Sequence, residues 1–312
     1  MISLVNLFCE EQEDEQACSL TLSLCSEEST DHTFSLDETT SVVSIYGTAE
    51  IVSSLEDACV RVSTSSLRIG AGACGQVFSL DDKHVVKVIS LNSNTYEKDL
   101  ADAKREVEIH RFLDLETPVE VPSLICAFEH NDEVFIVMEK MTDGDLFSAN
   151  DKLALGNTDY QFIRHKPFFM NLLKLVVDMH DNGIAHCDIK LENILLKGKS
   201  ALLCDCGFGT KEVVTSTPCG TPEYAAPELL VRRYGCRSWD TKKTDVFALG
   251  VLFYTLSTGI YPERDQRQNL RTESTWWLSP LGQLVKAMTF PDPEERIDAE
   301  KALSLLQALP DF

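Results

Sequence analysis

The pattern of apolar and polar positions changes character twice along this chain. Between Leu67 and Glu139 it is β-rich: Leu67–Ile69, Gln76–Leu80, His84–Ile89, Ser123–Phe128 and Val134–Glu139 each read as a strand, punctuated by glycine and by the Asp81-Asp82 turn. A charged stretch, Tyr96 to Leu113, reads as a helix between the third and fourth strands. Beyond Gly144 the balance becomes helical, with Pro167–Asn182, Asp245–Thr258 and Leu281–Met288 as helices and a strand pair near Ile194–Leu196 and Ala201–Leu203. This order predicts an α+β protein of two lobes: a small five-stranded antiparallel β-lobe with one helix, then a larger, mainly α-helical lobe.

The first 62 residues differ. They are rich in Ser, Thr and acid and poor in aromatics, a mixture that struggles to offset backbone ordering entropy. They are expected to form an acidic, largely disordered leader. Leu20-Leu22-Leu24 and Val42 to Tyr46 alternate enough for a short strand or a docking motif, and the Ser/Thr content suits a phosphorylatable tail. Residues 63–312 then form the folded domain, with the small lobe and hinge at 63–141 and the large lobe at 142–312.

Composition narrows the partners. The formal charge is -22, and thirteen of the acids but no Lys or Arg lie in residues 1–60. Nucleic acid and anionic membrane surfaces would be repelled, while basic protein partners are favoured. No apolar run is long enough to span a bilayer, so membrane insertion is not expected. Eleven cysteines without C-x-x-C spacing, in a chain too long to need disulfide staples, point to reduced thiols and an intracellular protein, in cytoplasm or nucleus.

The candidate chemistry lies in the domain. Gly70-Ala71-Gly72-Ala73-Cys74-Gly75-Gln76-Val77 is G-x-G-x-x-G-x-V between two strands, where glycines let a hairpin present backbone N–H groups to phosphate oxygens. A dinucleotide fold would place a helix directly afterwards; a strand follows instead. Lys87 sits in the apolar run His84–Ile89, where a charge is costly unless it meets an anion. Its distance from the glycine hairpin resembles that of the strand lysine of protein kinases. His186-Cys187-Asp188-Ile189-Lys190-Leu191-Glu192-Asn193 is similar to the kinase H-R-D-x-K-x-x-N loop, Asp205-Cys206-Gly207 to D-F-G, and Gly220-Thr221-Pro222-Glu223-Tyr224-Ala225-Ala226-Pro227-Glu228 to the segment ending in A-P-E. The order of these motifs identifies residues from about Leu67 to Leu309 as resembling the eukaryotic protein kinase superfamily, in its Ser/Thr form.

The resemblance implies transfer of the γ-phosphoryl of ATP, with Mg²⁺, to protein hydroxyls. It makes Asp188 the group that accepts or orients the substrate proton and Lys190 the cation on the transferring phosphoryl. Asn193 and Asp205 become the Mg²⁺ ligands. Lys87 would grip the α- and β-phosphates, positioned by Glu106, with Glu108 as the rival on the same helix. The nucleotide would lie under Gly70, Ala71, Gly72, Ala73, Cys74 and Gly75, between Val77, Val85 and Leu195. Its adenine would meet the backbone of Glu139 and Met141 behind the gatekeeper Met138, and Asp145 would reach the ribose or a peptide. Thr221 should bond Asp188 and Lys190, Glu228 should pair with Arg296, and Asp245 should brace the catalytic loop.

Two departures stand out. Cys187 replaces the arginine that clamps an activation-loop phosphate in many kinases, so activity without phosphorylation of Thr217 is expected. His110, Cys206 and His186 occupy the spine that links the lobes; they bury less apolar area than the usual set, and a partner or the N-terminal segment is expected to brace the helix. The same substitutions also fit a pseudokinase scaffold that binds nucleotide or partners without transfer. Asp145 and Glu192 match positions that read an upstream arginine in substrates. Cys74, expected over the phosphates with Lys87 and oriented amides nearby, is a candidate reactive thiol.

Overall fold

The structure is a computed structural model describing residues 43–63, 68–72, 75–215, 219–230 and 238–312. Strand β1, Val43–Tyr46, is followed by helix α1, Ala49–Ser63, which Thr48 starts by accepting from the Ile51 N–H at 3.4 Å. Strands β2, Arg68–Gly72, β3, Gly75–Ser79, and β4, His84–Ser90, precede helix α2, Tyr96–Glu116. Strands β5, Leu124–His130, and β6, Glu133–Glu139, complete one antiparallel sheet in the order β1-β5-β6-β4-β3-β2.

Both faces of this sheet are covered. On one, Val52 and Cys59 of α1, with Leu55 and Val60 beside them, pack on Phe78, Val86, Val88, Cys126, Phe128, Phe135 and Val137. On the other, Ala103 and Val107 of α2 pack on Leu124, Ala127, Val134 and Ile136, with Ile45 and Tyr46 of β1 against the same cluster.

Among the described residues the lobe therefore has six strands and two helices where five and one were expected. Residues 43–63, placed in the leader, pack on this sheet as β1 and α1. Averaging composition over 62 residues hides this: in α1 the apolar positions 52, 55, 59 and 60 form one stripe among acids and serines. The strand reading of Val42 to Tyr46 matches β1. The Leu20-Leu22-Leu24 alternation lies outside the described residues.

The second lobe is helical. It contains α3, Leu146–Ala154, and α4, Lys166–Asp181, then a hairpin of β7, Ile194–Lys197, and β8, Ser200–Leu203. After these come β9, Val214–Thr215, α5, Pro227–Leu230, and β10, Trp239–Asp240, which pairs with β9. The last helices are α6, Thr241–Thr258, α7, Pro280–Met288, and α8, Ala299–Ala308.

Helix α6 is buried on nearly every side, which is why its sequence is apolar all round rather than striped. Ile109 and Leu113 of α2 join the same large core as Phe169, Phe247 and Phe253, so the two lobes share packing through α2. Among the described residues no helix is long and apolar enough to cross a membrane.

Candidate active site

Strand β4 alternates its side chains, which aims Lys87 at the inner face beneath α2. There its Nζ lies 2.6 Å from Glu106 Oε1 and 2.7 Å from Asp205 Oδ1. Lys87 and Glu106 are each 4% exposed, so this is a buried charge cluster rather than a surface pair. Glu108, two residues on and on another helix face, meets Lys211 at 3.0 Å in the open. Burial pushes the Glu106 carboxyl up against the pull of Lys87. Burial also acts to raise Asp205, but the Lys87 charge and hydrogen bond outweigh it and hold its carboxyl below the usual range.

Below the cleft, Asp245 of α6 organises the catalytic loop. Its Oδ2 accepts from the His186 N–H and its Oδ1 from the Cys187 N–H, both at 2.8 Å, and His180 Nε2 lies 3.0 Å from Oδ2. These bonds hold Cys187 at φ 63, a left-handed conformation that costs a non-glycine residue roughly 1–2 kcal/mol. The turn delivers Asp188 to the cleft. Thr221 Oγ1 donates to Asp188 Oδ1 at 2.8 Å, Lys190 Nζ lies 2.7 Å from Oδ2, and Asn193 Nδ2 donates to Oδ2 at 3.1 Å. Lys190 also donates to Thr221 at 3.0 Å. Burial acts to lower the Lys190 ammonium, yet its bond and charge pairing with Asp188 leave it raised.

The glycine hairpin closes the top. Gly75 has φ 134, and a Cβ there would sit 2.6 Å from the Val88 carbonyl, so only glycine fits. A Cβ on Gly72 would meet nothing, so that side of the hairpin faces open space. A cleft of about 820 Å³ runs from Gly72, Gly75 and Gln76 past Glu106 to Gly207, Cys187 and Cys219. Ala73 and Cys74 lie outside the described residues, as does Thr217. Val77 and Leu195 are half-buried and Val85 is buried; Glu139 ends β6, with Met141 just beyond.

Asp145 is more engaged than its expected role suggests. It caps α3, accepting from the Ser148 N–H at 2.7 Å and from Ser148 Oγ at 3.2 Å.

The spine positions also differ in character from a loose stack. His110 is 5% exposed, with Nε2 2.6 Å from the Pro122 carbonyl, and His186 Nε2 lies 3.0 Å from the Cys204 carbonyl, so hydrogen bonds replace missing apolar area. Arg296, 1% exposed, grips Glu228 with two parallel bonds of 2.8 and 3.0 Å. Sequence reasoning missed His180, whose only signal was its place six residues before His186, and Tyr224, whose hydroxyl accepts from the Leu191 N–H at 3.3 Å.

Two lobes joined through a shared helix, with an ammonium held between carboxylates of both, define the class of bilobal kinases. The chain belongs to the protein kinase family: the model described as protein kinase domain matches residues 64–308. The chain is 30% identical over 264 residues to serine/threonine-protein kinase SCH9 of Candida albicans, covering 78% of this chain and 32% of that protein. It is 31% identical over 202 residues to NUAK family SNF1-like kinase 1 of Homo sapiens, covering 62% and 29%. CBL-interacting serine/threonine-protein kinase 16 of Arabidopsis thaliana is 27% identical over 264 residues, covering 76% and 53%. The chain thus spans about a third to a half of these relatives.

Proposed function

We propose that this protein transfers the γ-phosphoryl of ATP to Ser or Thr hydroxyls of protein substrates. The observation that carries the proposal is Lys87 Nζ seated between Glu106 and Asp205, above an Asp188 already bonded to Thr221 and Lys190. In this reading Glu106 aims Lys87 at the α- and β-phosphates. Asp188 orients the incoming hydroxyl and takes its proton, and Lys190 offsets charge on the transferring group. The hairpin from Gly70 to Gly75 covers the phosphates. Val77, Val85 and Leu195 hold the adenine, and the Glu139 and Met141 backbone reads its edge.

The donor set suits Mg²⁺. Asp205 brings a carboxylate, and Asn193, whose Nδ2 is turned onto Asp188, keeps its carboxamide oxygen for a cation. Among the described residues no cluster of three or more His, Cys, Asp or Glu could hold a metal alone, which fits an ion that takes its remaining ligands from phosphate and water. When bound, the ion neutralises phosphate oxygens.

Three finer features belong to the same proposal. Thr221 is seated on Asp188 and Lys190 by bonds between the chain's own side chains, and Cys187 offers no cation to a phosphate, which supports activity without modification of Thr217. Glu192 is exposed and Asp145 half-buried in an acidic molecule, which favours substrates with an upstream arginine. Finally, the packing of β1 on the cluster around α2 and of α1 on the outer sheet face supports an N-terminal brace for this lobe.

One assay tests the set. Phosphatase-treated protein from bacteria, given γ-labelled ATP, Mg²⁺ and a positional peptide library, should label Ser and Thr peptides and select arginine upstream. Asp188→Ala should lose at least ~10²-fold in kcat. Nucleotide binding without labelling would establish the scaffold reading instead.

A further inference from the structure

The catalytic loop and the activation segment meet at two sulfurs. Cys187, immediately before Asp188, is held rigidly by the Asp245 bond to its N–H and is 7% exposed. Cys219, two residues before Thr221, is half-buried at the edge of the segment. Both cysteines line the same small pocket, formed with Asp188, Gly220 and Thr221.

The backbones are equally close. Gly220 has φ 87, and a Cβ on it would lie 2.8 Å from the Cys187 carbonyl oxygen. Two thiols lining one pocket on chain segments that already touch satisfy the main requirement for a cross-link, since little backbone movement is needed. The same position is where a phosphate clamp would need a cation, and Cys187 offers none.

We propose that Cys187 and Cys219 are a redox-modification site, forming a reversible disulfide that clamps the activation segment to the catalytic loop. The role of the clamp rests on the kinase reading of Asp188 and Thr221; the bond itself does not.

The oxidant class is a peroxide. The neighbouring Cys219, burial and the charge of Asp245 push the Cys187 thiol up. The more exposed Cys219 is therefore the attacking sulfur. As a thiolate it takes one peroxide oxygen, the O–O bond breaks, and the departing hydroxide leaves as water with the Cys219 proton. Cys187 sulfur then attacks the resulting sulfenic acid, the S–S bond forms, and the displaced hydroxyl leaves as a second water with the Cys187 proton. Two thiols lose two electrons, and one peroxide gains them.

Thiol mapping of the full chain tests this. Protein reduced, freed of reductant and treated with hydrogen peroxide is alkylated and digested. Cys187 and Cys219 should lose alkylation together and appear as one linked peptide pair, lighter by two hydrogens than the two thiol peptides, and dithiothreitol should restore both.

Cys219→Ser should abolish the linked pair. Trypsin should cut oxidised protein within residues 208–230 more slowly than reduced protein. The proposal fails if both cysteines stay alkylatable, if Cys219 stops at a sulfur oxyacid or joins a different cysteine, or if cleavage is equal in the two forms. None of these readouts requires phosphoryl transfer, so an inactive enzyme would count against the kinase reading and leave the cross-link standing.

Discussion

His110 shows how one side chain can trade apolar packing for a directed bond. Burial drives its pKa down, the bond to the Pro122 carbonyl and the charge of Asp114 pull it partly back, and Lys87 reinforces the fall. A depressed value in the fold means that the unfolded chain takes up the proton first. The stability that neutral His110 contributes is therefore complete above the unfolded value of about 6.5 and is lost as pH falls from there toward the folded value. The melting temperature should drop between about pH 7 and about pH 5, and His110→Leu should flatten that slope. An unchanged slope in the variant would assign the acid sensitivity elsewhere. At this scale much of the site was legible: a lysine inside an apolar strand asks for an anion, and Lys87 has two. The resemblance put Glu106 ahead of Glu108, and the phase of α2 against the sheet, which depends on which face the core buries, brings Glu106 to Lys87 and sends Glu108 to Lys211.

Among the elements, β1 with α1 and the short α5 carry the clearest consequences. Residues 43–63 add a strand to the β5 edge and a helix to the outer sheet face, and β1 also touches the cluster around α2. Their removal strips cover from Phe78, Phe128 and Phe135 and support from the helix that bears Glu106. A chain beginning at residue 64 should melt lower and phosphorylate more slowly than the full chain. Val52→Ala alone should cost about 1.5 kcal/mol, read by denaturant titration, from two buried methyl equivalents. Matching rates and melting points for the truncated and full chains would exclude the brace. Helix α5 is tied down by Glu228, whose carboxylate is the partner of a guanidinium sealed in the core. Glu228→Ala should destabilise by about 3–5 kcal/mol, because it leaves that charge buried and unpaired.

For the whole molecule, the dominant quantity is its charge of -22. A net negative molecule attracts cations and raises their encounter rate, and salt screens the effect over about 10 Å at 0.1 M. Raising NaCl should lower kcat/KM for an arginine-containing peptide while leaving a neutral peptide of the same length nearly unaffected. Equal salt dependence for the two would show that steering plays no part. The acidity was visible in the composition. Where it is presented to a substrate depends on the fold, which sets Asp145 as a helix cap and leaves Glu192 in the open.

The sequence by itself determined the two-lobe order and the chemistry of the site, because glycine spacing, a lysine in an apolar strand and fixed distances between Asp188, Lys190 and Asn193 are local properties. Tertiary structure alone decided the sixth strand, the bonded histidines of the spine and the meeting of Cys187 and Cys219 at one pocket. Those depend on segments distant in the chain arriving at one place, and that is set by burial of the shared core, to which no local pattern is sensitive.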